Sequence, residues 1–277
     1  MAPQTWFITG VNSGFGRELS EALLRRGDRV AGTVRKADSV ADLAREFGDR
    51  FWTAHLDVTD GEEITRVVDR AFTELDRIDV VVSNAGYGLF GAAEEVSDDQ
   101  ILHVLNTNLV GSIRVGRAVL PHLRAQGGGR IIQLSSVAGQ TAAPGASLYQ
   151  ASKWGIEAFM EALSHEVAGF GIGVTLVEPG GARTDFQSGS LRLGRPLAAY
   201  DNTAAAMVRN LQKPEFRPAG DPKRMAAAII DSVEQHPAPL RLVLGRSAYD
   251  GIRAALTERL ADIEPQQELA YSADFPE

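Results

Sequence analysis

The chain has 277 residues, no cysteine and a formal net charge of −8 at pH 7, with 44% hydrophobic and 23% charged residues. This composition is typical of a folded globular protein; it excludes disordered and collagen-like chains, and the lack of thiols excludes disulfides and cysteine-ligated metal sites. Because the basic residues are scattered and neither a signal peptide nor an apolar run of about 18 residues is evident, we expect a cytoplasmic protein without nucleic-acid or membrane partners.

Seven β-prone runs alternate with segments of helical periodicity. The clearest helical stripe follows the spacing i, i+3, i+4 and comprises Ile64, Val67, Val68, Ala71, Phe72 and Leu75. The predicted strands are 5–9, 29–34, 51–56, 80–83, 130–135, 173–178 and 241–244. Strict β and α alternation predicts an α/β fold with one Rossmann-type doubly wound domain, a mainly parallel seven-stranded sheet and helices on both faces.

Two segments depart from this rhythm within the single domain that we predict over 1–277. Residues 180–222 interrupt it with glycine, proline and apolar residues that look exposed, and long insertions of this kind are often functional. The apolar residues are Phe186, Leu191, Leu193, Leu197, Tyr200 and Phe216. A C-terminal helix over about 246–264 shows apolar periodicity and packs, in this interpretation, on that insertion or on a neighbouring subunit. Its periodic positions are Ile252, Ala255, Leu256 and Leu260.

A glycine-rich turn, TGVNSGFG, follows the first strand and leads into a helix. Glycine permits a tight turn and close approach of the backbone to a ligand, while the unpaired N–H groups of the helix N-terminus suit a pyrophosphate. The alternative is a plain glycine-rich turn. The dinucleotide site predicted here consists of Gly10, Asn12, Ser13, Gly14, Phe15 and Gly16.

The end of the second strand indicates which dinucleotide is preferred. An acid there would accept the ribose 2′-OH of NAD, but Val34 occupies that place and Arg35 and Lys36 follow. Two cations suit the 2′-phosphate of NADP(H), and a solvated basic turn is the weaker alternative. Because Asp38 is close and Ser13 is not basic, NAD(H) stays possible.

Asp57, with Val58 beside it, ends the third strand. Its carboxylate is a candidate to bind the adenine amino group, and an ordinary cap at a strand end is an equally good interpretation.

A serine, a tyrosine and a lysine form the predicted catalytic set. Ser136 follows the fifth strand, Tyr149 comes thirteen residues later, and Lys153 follows after four more. A spacing of four puts tyrosine and lysine on one helix face, where the ammonium would lower the phenol pKa. Such a pair alone is common on helix surfaces, so the prediction depends on its place after a glycine turn.

Together, TGVNSGFG, NAG at 84–86, NLVG from Asn108, Ser136, YQASK and PGGART resemble the short-chain dehydrogenase/reductase family. The stretch VAGTVRK and the long C-terminal segment are similar to its hydroxysteroid and retinol dehydrogenase branch. The match to the family covers about 5–184. The resemblance implies that Tyr149 protonates the substrate oxygen, Ser136 hydrogen-bonds it, and Lys153 tunes Tyr149 and binds the nicotinamide ribose. It also implies that Asn108 holds a water linking Lys153 to solvent.

The remaining cofactor contacts are implied by the same resemblance. Asn84, Ala85 and Gly86 close the fourth strand against the dinucleotide, while Pro179 and Gly180 shape the nicotinamide site and Thr184 contacts the carboxamide. No metal is expected, since the five histidines show no ligand spacing.

Three functions follow as alternatives: NADPH-dependent reduction of a lipophilic carbonyl compound covered by 180–222, NAD⁺-dependent oxidation of an alcohol, and dinucleotide sensing without turnover. The family also implies a homodimer or homotetramer packed through the Tyr149 helix. The residues of that helix that face a partner, or alternatively the core, are Ala158, Phe159, Ala162 and Leu163.

Overall fold

A parallel sheet of seven strands organises the chain, of which the computed structural model describes residues 3–213 and 215–275. Positions 1, 2, 214, 276 and 277 of the predicted domain lie outside the described residues. The strands are β1 (Thr5–Thr9), β2 (Arg29–Val34), β3 (Phe51–His55), β4 (Val80–Ser83), β5 (Gly88–Phe90), β6 (Gly129–Leu134), β7 (Ile172–Pro179), β8 (Leu191–Leu193) and β9 (Arg241–Leu244). The helices are α1 (Gly14–Arg26), α2 (Ala41–Phe47), α3 (Gly61–Leu75), α4 (Asp98–Leu105), α5 (Gly111–Ala125), α6 (Ser147–Val167), α7 (Pro222–Ser232), α8 (Arg246–Ile263) and α9 (Gln267–Tyr271).

The strand order of the main sheet is β3-β2-β1-β4-β6-β7-β9, with every neighbouring pair parallel. From β1 the chain adds β2 and β3 on one side, and it then returns to add β4, β6, β7 and β9 on the other side. The direction of the strand order therefore reverses between β1 and β4. In doubly wound sheets a crevice for ligands lies at such a switch point, beyond the carboxyl ends of the strands. The glycine-rich turn begins there, after Thr9.

Helices cover both faces of this sheet, which confirms the predicted fold class. On one face α3, α5 and α6 enclose a core around Phe7 and Ile131; on the other, α1, α2 and α7 enclose a core around Trp6 and Ile132. Neighbouring residues of β1 thus enter opposite cores, as the two-residue repeat of a strand requires. No helix in the described part of the chain combines the length and hydropathy needed to cross a membrane.

The predicted strands agree with the observed ones to within one residue at each end, and all six residues of the predicted helical stripe are buried in α3. A second sheet of two parallel strands, β5 and β8, was not predicted. Both strands have only three residues, too short for a periodic signal. They attach the segment after β7 to the loop after β4.

Candidate active site

The glycine-rich turn brings helix α1 against the end of β1. Gly10 and Gly14 have positive φ angles of 74° and 56°, which side chains other than glycine rarely adopt. A Cβ at Gly16 would overlap the carbonyl oxygen of Gly10 and lie 2.6 Å from the Asn84 amide nitrogen. Ser13 precedes the helix without capping it through its side chain, so the first N–H groups of α1 are left for a ligand. This cradle fits a pyrophosphate.

The segment after β4 is tied to the same turn. The Asn84 amide donates to the carbonyl oxygens of Thr9 and Gly10 at 2.8 and 3.0 Å, and the N–H groups of Asn84 and Ala85 donate to the Thr9 hydroxyl. These contacts give Asn84 and Ala85 a structural role at the wall of the crevice. Gly86, the next residue, lies close to Asn108. A Cβ at Gly86 would lie 3.1 Å from Asn108 Oδ1.

Arg35 and Lys36 are exposed directly after the buried Val34. Arg35 lies close enough to Asp57 for its charge to act on that carboxyl. Burial raises the pKa of Asp57, but two hydrogen bonds from Thr59 and the charge of Arg35 outweigh this and hold the pKa below its ordinary value. The hydrogen bonds, 2.9 Å from the Thr59 N–H and 2.8 Å from its hydroxyl, match the predicted capping role of Asp57.

Ser136 and Tyr149 meet at the carboxyl end of β6. Ser136 precedes a short 3₁₀ turn, and its hydroxyl oxygen accepts a hydrogen bond from the Ala138 N–H at 3.1 Å. Tyr149 lies in the first turn of α6, only 9% exposed, with Ser136 near enough to its hydroxyl to lower the pKa. Because the Ser136 oxygen already accepts from the backbone, its own proton is available for the tyrosine oxygen or a bound substrate.

Lys153 is buried one helical turn after Tyr149. Its ammonium nitrogen lies 5.8 Å from the centre of the tyrosine ring and donates to the Leu134 carbonyl at 2.8 Å. Burial lowers the pKa of Lys153 to about 8, although the charge of Glu157 raises it in part. Burial also raises the pKa of Tyr149, and the Ser136 hydrogen bond only partly offsets this. The shift is opposite to the lowering expected from the sequence, because desolvation of the phenolate dominates in the protein alone.

Asn108 lies in a π-helical turn, Asn106–Val110, between α4 and α5. Its side-chain oxygen accepts from the Tyr87 N–H at 3.0 Å, and its amide nitrogen donates to the Tyr87 carbonyl and the Ser152 hydroxyl at 2.8 and 3.1 Å. Ser152 in turn donates to the Tyr149 carbonyl. Since both amide protons are used, the side chain could hold a relay water only through the remaining lone pair of its oxygen.

The chain after β7 closes the other side of the crevice. Gly180 follows Pro179, and its N–H donates to the Leu244 carbonyl at 2.9 Å. Thr184 lies beside the glycine-rich turn. A Cβ at Gly14 would lie 4.0 Å from the Thr184 Cβ. The chain after β7 thus places Thr184 beside this turn and Gly180 beside the end of β9. Among the described residues no group of three or more metal-ligating side chains is found.

Comparison with known proteins agrees with this geometry. The family described as short chain dehydrogenase matches residues 4–192, more than half of the chain. The chain belongs to the short-chain dehydrogenase/reductase family. It is therefore an NAD(P)-dependent oxidoreductase, which favours the enzyme over the non-catalytic regulator among the alternatives considered above.

Relatives of similar length carry names from the same class. The chain is 36% identical over 269 residues to Oxidoreductase BOA17 of Botryotinia fuckeliana, covering 97% of this chain and 98% of that protein. It is 33% identical over 247 residues to 3-ketodihydrosphingosine reductase of Bacteroides thetaiotaomicron, covering 88% and 89%. The crystal structure of a short-chain dehydrogenase from Streptomyces avermitilis has a TM-score of 0.92, 36% identity and 99% coverage of both chains.

Solved structures of this fold hold both kinds of dinucleotide. An alcohol dehydrogenase from Thermococcus sibiricus was solved with 5-hydroxy-NADP; it is 25% identical, with a TM-score of 0.72 and coverage of 87% of this chain and 95% of that one. A short chain dehydrogenase/reductase from Burkholderia phymatum was solved with NAD; it is 23% identical, with a TM-score of 0.80 and 95% coverage of both chains.

An aromatic wall lines the enzyme's crevice above Tyr149. The rings of Phe90 and Phe186 have their centres 5.2 and 6.4 Å from that of Tyr149. A Cβ at Gly88 would lie 2.5 Å from both phenylalanine rings, so glycine is needed where they meet. Leu191 was expected to be exposed, but it is 2% exposed because the pairing of β8 with β5 turns it inward.

Sequence reasoning missed several residues that position this site. Phe90 and Glu95 lie in a short irregular stretch without periodicity, and Glu95 becomes buried only through contacts with residues about a hundred positions later. Glu157 and Glu178 are also buried behind the catalytic residues. The spacing of four between Lys153 and Glu157 was the one sequence signal that could have indicated them.

Helix α8 lies over the loop that follows Ser136. The Arg259 guanidinium stacks 4.4 Å above the Trp154 ring and donates to the Gln140 carbonyl, and a Cβ at Gly251 would lie 3.8 Å from Val137. Of the predicted apolar positions only Ile252 is buried, whereas Leu256 and Leu260 are exposed. The helix thus contacts the catalytic loop, a position that its periodicity did not indicate.

Proposed function

We propose that the enzyme reduces a lipophilic ketone or aldehyde with NADPH, with Tyr149 as the proton donor. The observation that carries this proposal is the meeting of Ser136 with the buried Tyr149 and Lys153 at the carboxyl end of β6. When bound, the reduced dinucleotide supplies a hydride to the carbonyl carbon. The chain's own residues bind the oxygen on which negative charge develops.

Each of the three side chains has a separate task in this reaction. Ser136 donates a hydrogen bond to the substrate oxygen and keeps its proton, and the Tyr149 hydroxyl transfers the one proton that completes the alcohol. Lys153 holds the ribose and places a positive charge near the phenol. Because burial raises the pKa of Tyr149, the protein alone keeps this residue protonated at neutral pH. The protonated phenol is the form that donates to the carbonyl oxygen during reduction.

The proposed preference for NADPH depends on Arg35. Its exposed guanidinium lies near Asp57, at the mouth of the crevice where the adenosine end of a dinucleotide would extend from the glycine-rich turn. Lys36 is exposed beside it, whereas Arg17 on α1 is already paired with Glu21 at 2.6 Å and with Asp42. Arg35 is therefore the cation better placed to bind a 2′-phosphate.

Residues 180–222 form the substrate lid in this proposal. Phe186 is the part of this segment that reaches the Tyr149 ring, and with Phe90 it makes an apolar wall. A polar substrate would lose hydration against these rings without gaining hydrogen bonds, so an apolar carbonyl compound fits better. The Bacteroides relative, named for reducing a ketone, supports the same class.

We also propose a homodimer or homotetramer formed through α6. Leu163 belongs to the core and Phe159 packs against it, whereas Ala158 and Ala162 are exposed on the outer face of the helix. Small side chains allow two such helices to approach closely. Sedimentation of the purified protein at micromolar concentration should show a dimer or tetramer, and a monomer would contradict this assembly.

The test of the proposed reaction is the consumption of NADPH and NADH in the presence of ketones of increasing apolar size. We expect turnover with NADPH that increases from small polar ketones to bulky cyclic ones. If neither nicotinamide is consumed with any ketone, carbonyl reduction is wrong. If only alcohols react, with NAD⁺ as acceptor, the enzyme works as an alcohol dehydrogenase.

A further inference from the structure

Two glutamates are buried directly behind the catalytic pair. Glu157 lies on α6, one helical turn after Lys153, and Glu178 lies in β7, next to Pro179. They are 3% and 0% exposed. Neither belongs to the predicted site, and both come from the elements that carry it.

The two carboxyl groups share the same donors. The Gln140 side chain donates to Glu157 Oε2 at 3.2 Å and to Glu178 Oε1 at 3.3 Å. The Arg241 guanidinium nitrogen Nε lies 3.5 Å from the first of these oxygens and 3.2 Å from the second. The two carboxyl groups must therefore lie side by side.

Positive charge in this cluster is too small for two carboxylates. Arg241 forms its shortest ion pair, 2.7 Å, with a third acid, Glu161. Among the residues that the structure describes, the second oxygens, Glu157 Oε1 and Glu178 Oε2, have no hydrogen-bond partner. A buried carboxylate with an unpaired oxygen is costly, and two adjacent ones favour the uptake of a proton by one of them.

We propose that Glu157 and Glu178 share one proton at neutral pH, and that the charge of this pair controls the charge of Lys153. The proposal deepens the function proposed above and rests on Lys153 acting in it. Glu157 is the nearer member, because its spacing of four residues from Lys153 places both on the same helix face. The pair acts through Lys153 and does not touch the substrate, so both glutamates are positioning residues.

The charged groups around the pair agree with one shared proton. Burial and the neighbouring charge of Glu157 raise the pKa of Glu178 to about 7, whereas Arg241 lowers it. Glu157 in turn raises the pKa of Lys153. Other charged groups are farther out: Glu161 pairs with Arg241, His165 acts on Glu161, and Arg259 contacts the backbone of Gln140.

Ser135, the residue before Ser136, lies near the acid pair. Its buried hydroxyl has no hydrogen-bond partner among the described residues. That oxygen and Glu157 Oε1 both lie within 3.0 Å of the point where a Cβ at Gly139 would be. Glycine at this position leaves space between the acid pair and the loop.

Infrared spectroscopy of the purified protein tests the shared proton without any substrate. A protonated carboxylic acid has a C=O stretch that a carboxylate lacks, and exposed acids are ionised at neutral pH. We expect this band in the wild type at neutral pH, its loss at alkaline pH, and its loss at neutral pH in both Glu157→Gln and Glu178→Gln. Glu161 lies on the same helix as Glu157 and pairs with the same arginine, Arg241. The control Glu161→Gln should keep the band. No band in the wild type, or a band that survives both substitutions, would overturn the proposal.

The pH dependence of kcat/KM with NADPH and a reactive ketone tests the coupling to Lys153. In the wild type, ionisation of the second carboxyl holds Lys153 in its charged form to higher pH. Glu178→Gln removes that second charge and should move the alkaline limb to lower pH by about half a pH unit, with little change at neutral pH. Glu161→Gln should leave the limb in place. Equal profiles for all three proteins would overturn the coupling.

The two experiments separate failure of this inference from failure of the proposed function. If no ketone reacts, the reaction proposal fails, while the infrared band still decides on the shared proton. In that case the pH dependence of NADPH binding, and not turnover, reports the protonation of Lys153. An unchanged binding profile in Glu178→Gln would again contradict the coupling.

Discussion

Glu95 and Arg209 form an ion pair of 2.6 Å that joins the segment 194–212 to the body of the enzyme. The Glu95 side chain is 2% exposed and also accepts hydrogen bonds from the N–H groups of Leu197 and Ala92, each at 2.9 Å. The hydrogen bond from Leu197 is the largest of the effects that hold the pKa of Glu95 below its ordinary value. One buried carboxylate thus fixes the segment that we propose as the lid.

Glu95→Ala should loosen this lid. The substitution removes the acceptor of the Leu197 N–H and the buried partner of Arg209, which keeps its ion pair with the exposed Asp201. We expect faster proteolysis within 180–222 and a KM for ketones raised by about tenfold, with a smaller change in kcat. Limited proteolysis with mass spectrometry and steady-state kinetics measure both effects. Glu46→Ala is the matched control, because Glu46 is an exposed acid on α2, outside the lid. Equal proteolysis of the two variants would contradict the role of Glu95.

Arg35→Ala should reduce the affinity for NADPH by about tenfold or more and leave that for NADH unchanged, since a charge-assisted contact with phosphate is worth about 1.5–3 kcal/mol. Quenching of tryptophan fluorescence gives both dissociation constants. Arg66→Ala, an exposed arginine on α3, serves as the control. If NADH binds as well as NADPH to the wild type, the basic turn after β2 does not select the cofactor.

Gly16→Ala should destabilise the enzyme by about 1–3 kcal/mol, because the added methyl group overlaps the Gly10 carbonyl and the Asn84 amide. The free energy of unfolding in urea measures the effect. Gly169→Ala is a suitable control, since a Cβ there has no heavy atom within 4 Å. Equal stability of the two variants would mean that the turn has room to adjust.

The affinity for NADPH should fall as the pH rises through about 8. Burial lowers the pKa of Lys153 to about 8, and the charged lysine is the form that donates to the ribose, so the favourable form is lost on the alkaline side. The dissociation constant should increase by at most about tenfold per pH unit there. Lys153→Met should bind more weakly at neutral pH and lose this dependence, whereas Lys223→Met, an exposed lysine, should keep it. A flat wild-type profile would contradict this prediction.

Strong local patterns made the fold predictable from sequence. Buried parallel strands are continuously apolar, and the α3 stripe contains all of that helix's buried residues. The two short strands β5 and β8 carry no such pattern, because each is defined by its pairing with a distant partner. The position of α8 could not be predicted from the sequence either, since the stacking of Arg259 on Trp154 depends on the tertiary fold.

Motif spacing placed the candidate site but not its electrostatics. Ser136, Tyr149 and Lys153 meet in the crevice, yet the pKa of Tyr149 moves upward because burial outweighs the effect of a nearby cation. The burial of Glu157 and Glu178 is likewise a product of packing among α6, β7 and β9. A sequence shows which charges exist, whereas their pKa values depend on the solvent that the fold removes.

The most direct test of the account is Tyr149→Phe, assayed with NADPH and the best ketone from the panel. The substitution removes the hydroxyl and keeps the ring that contacts Phe90 and Phe186. We predict that turnover falls by about a hundredfold or more while the dissociation constant of NADPH stays within about twofold of the wild type. Turnover close to that of the wild type would contradict the assignment of Tyr149 as the proton donor.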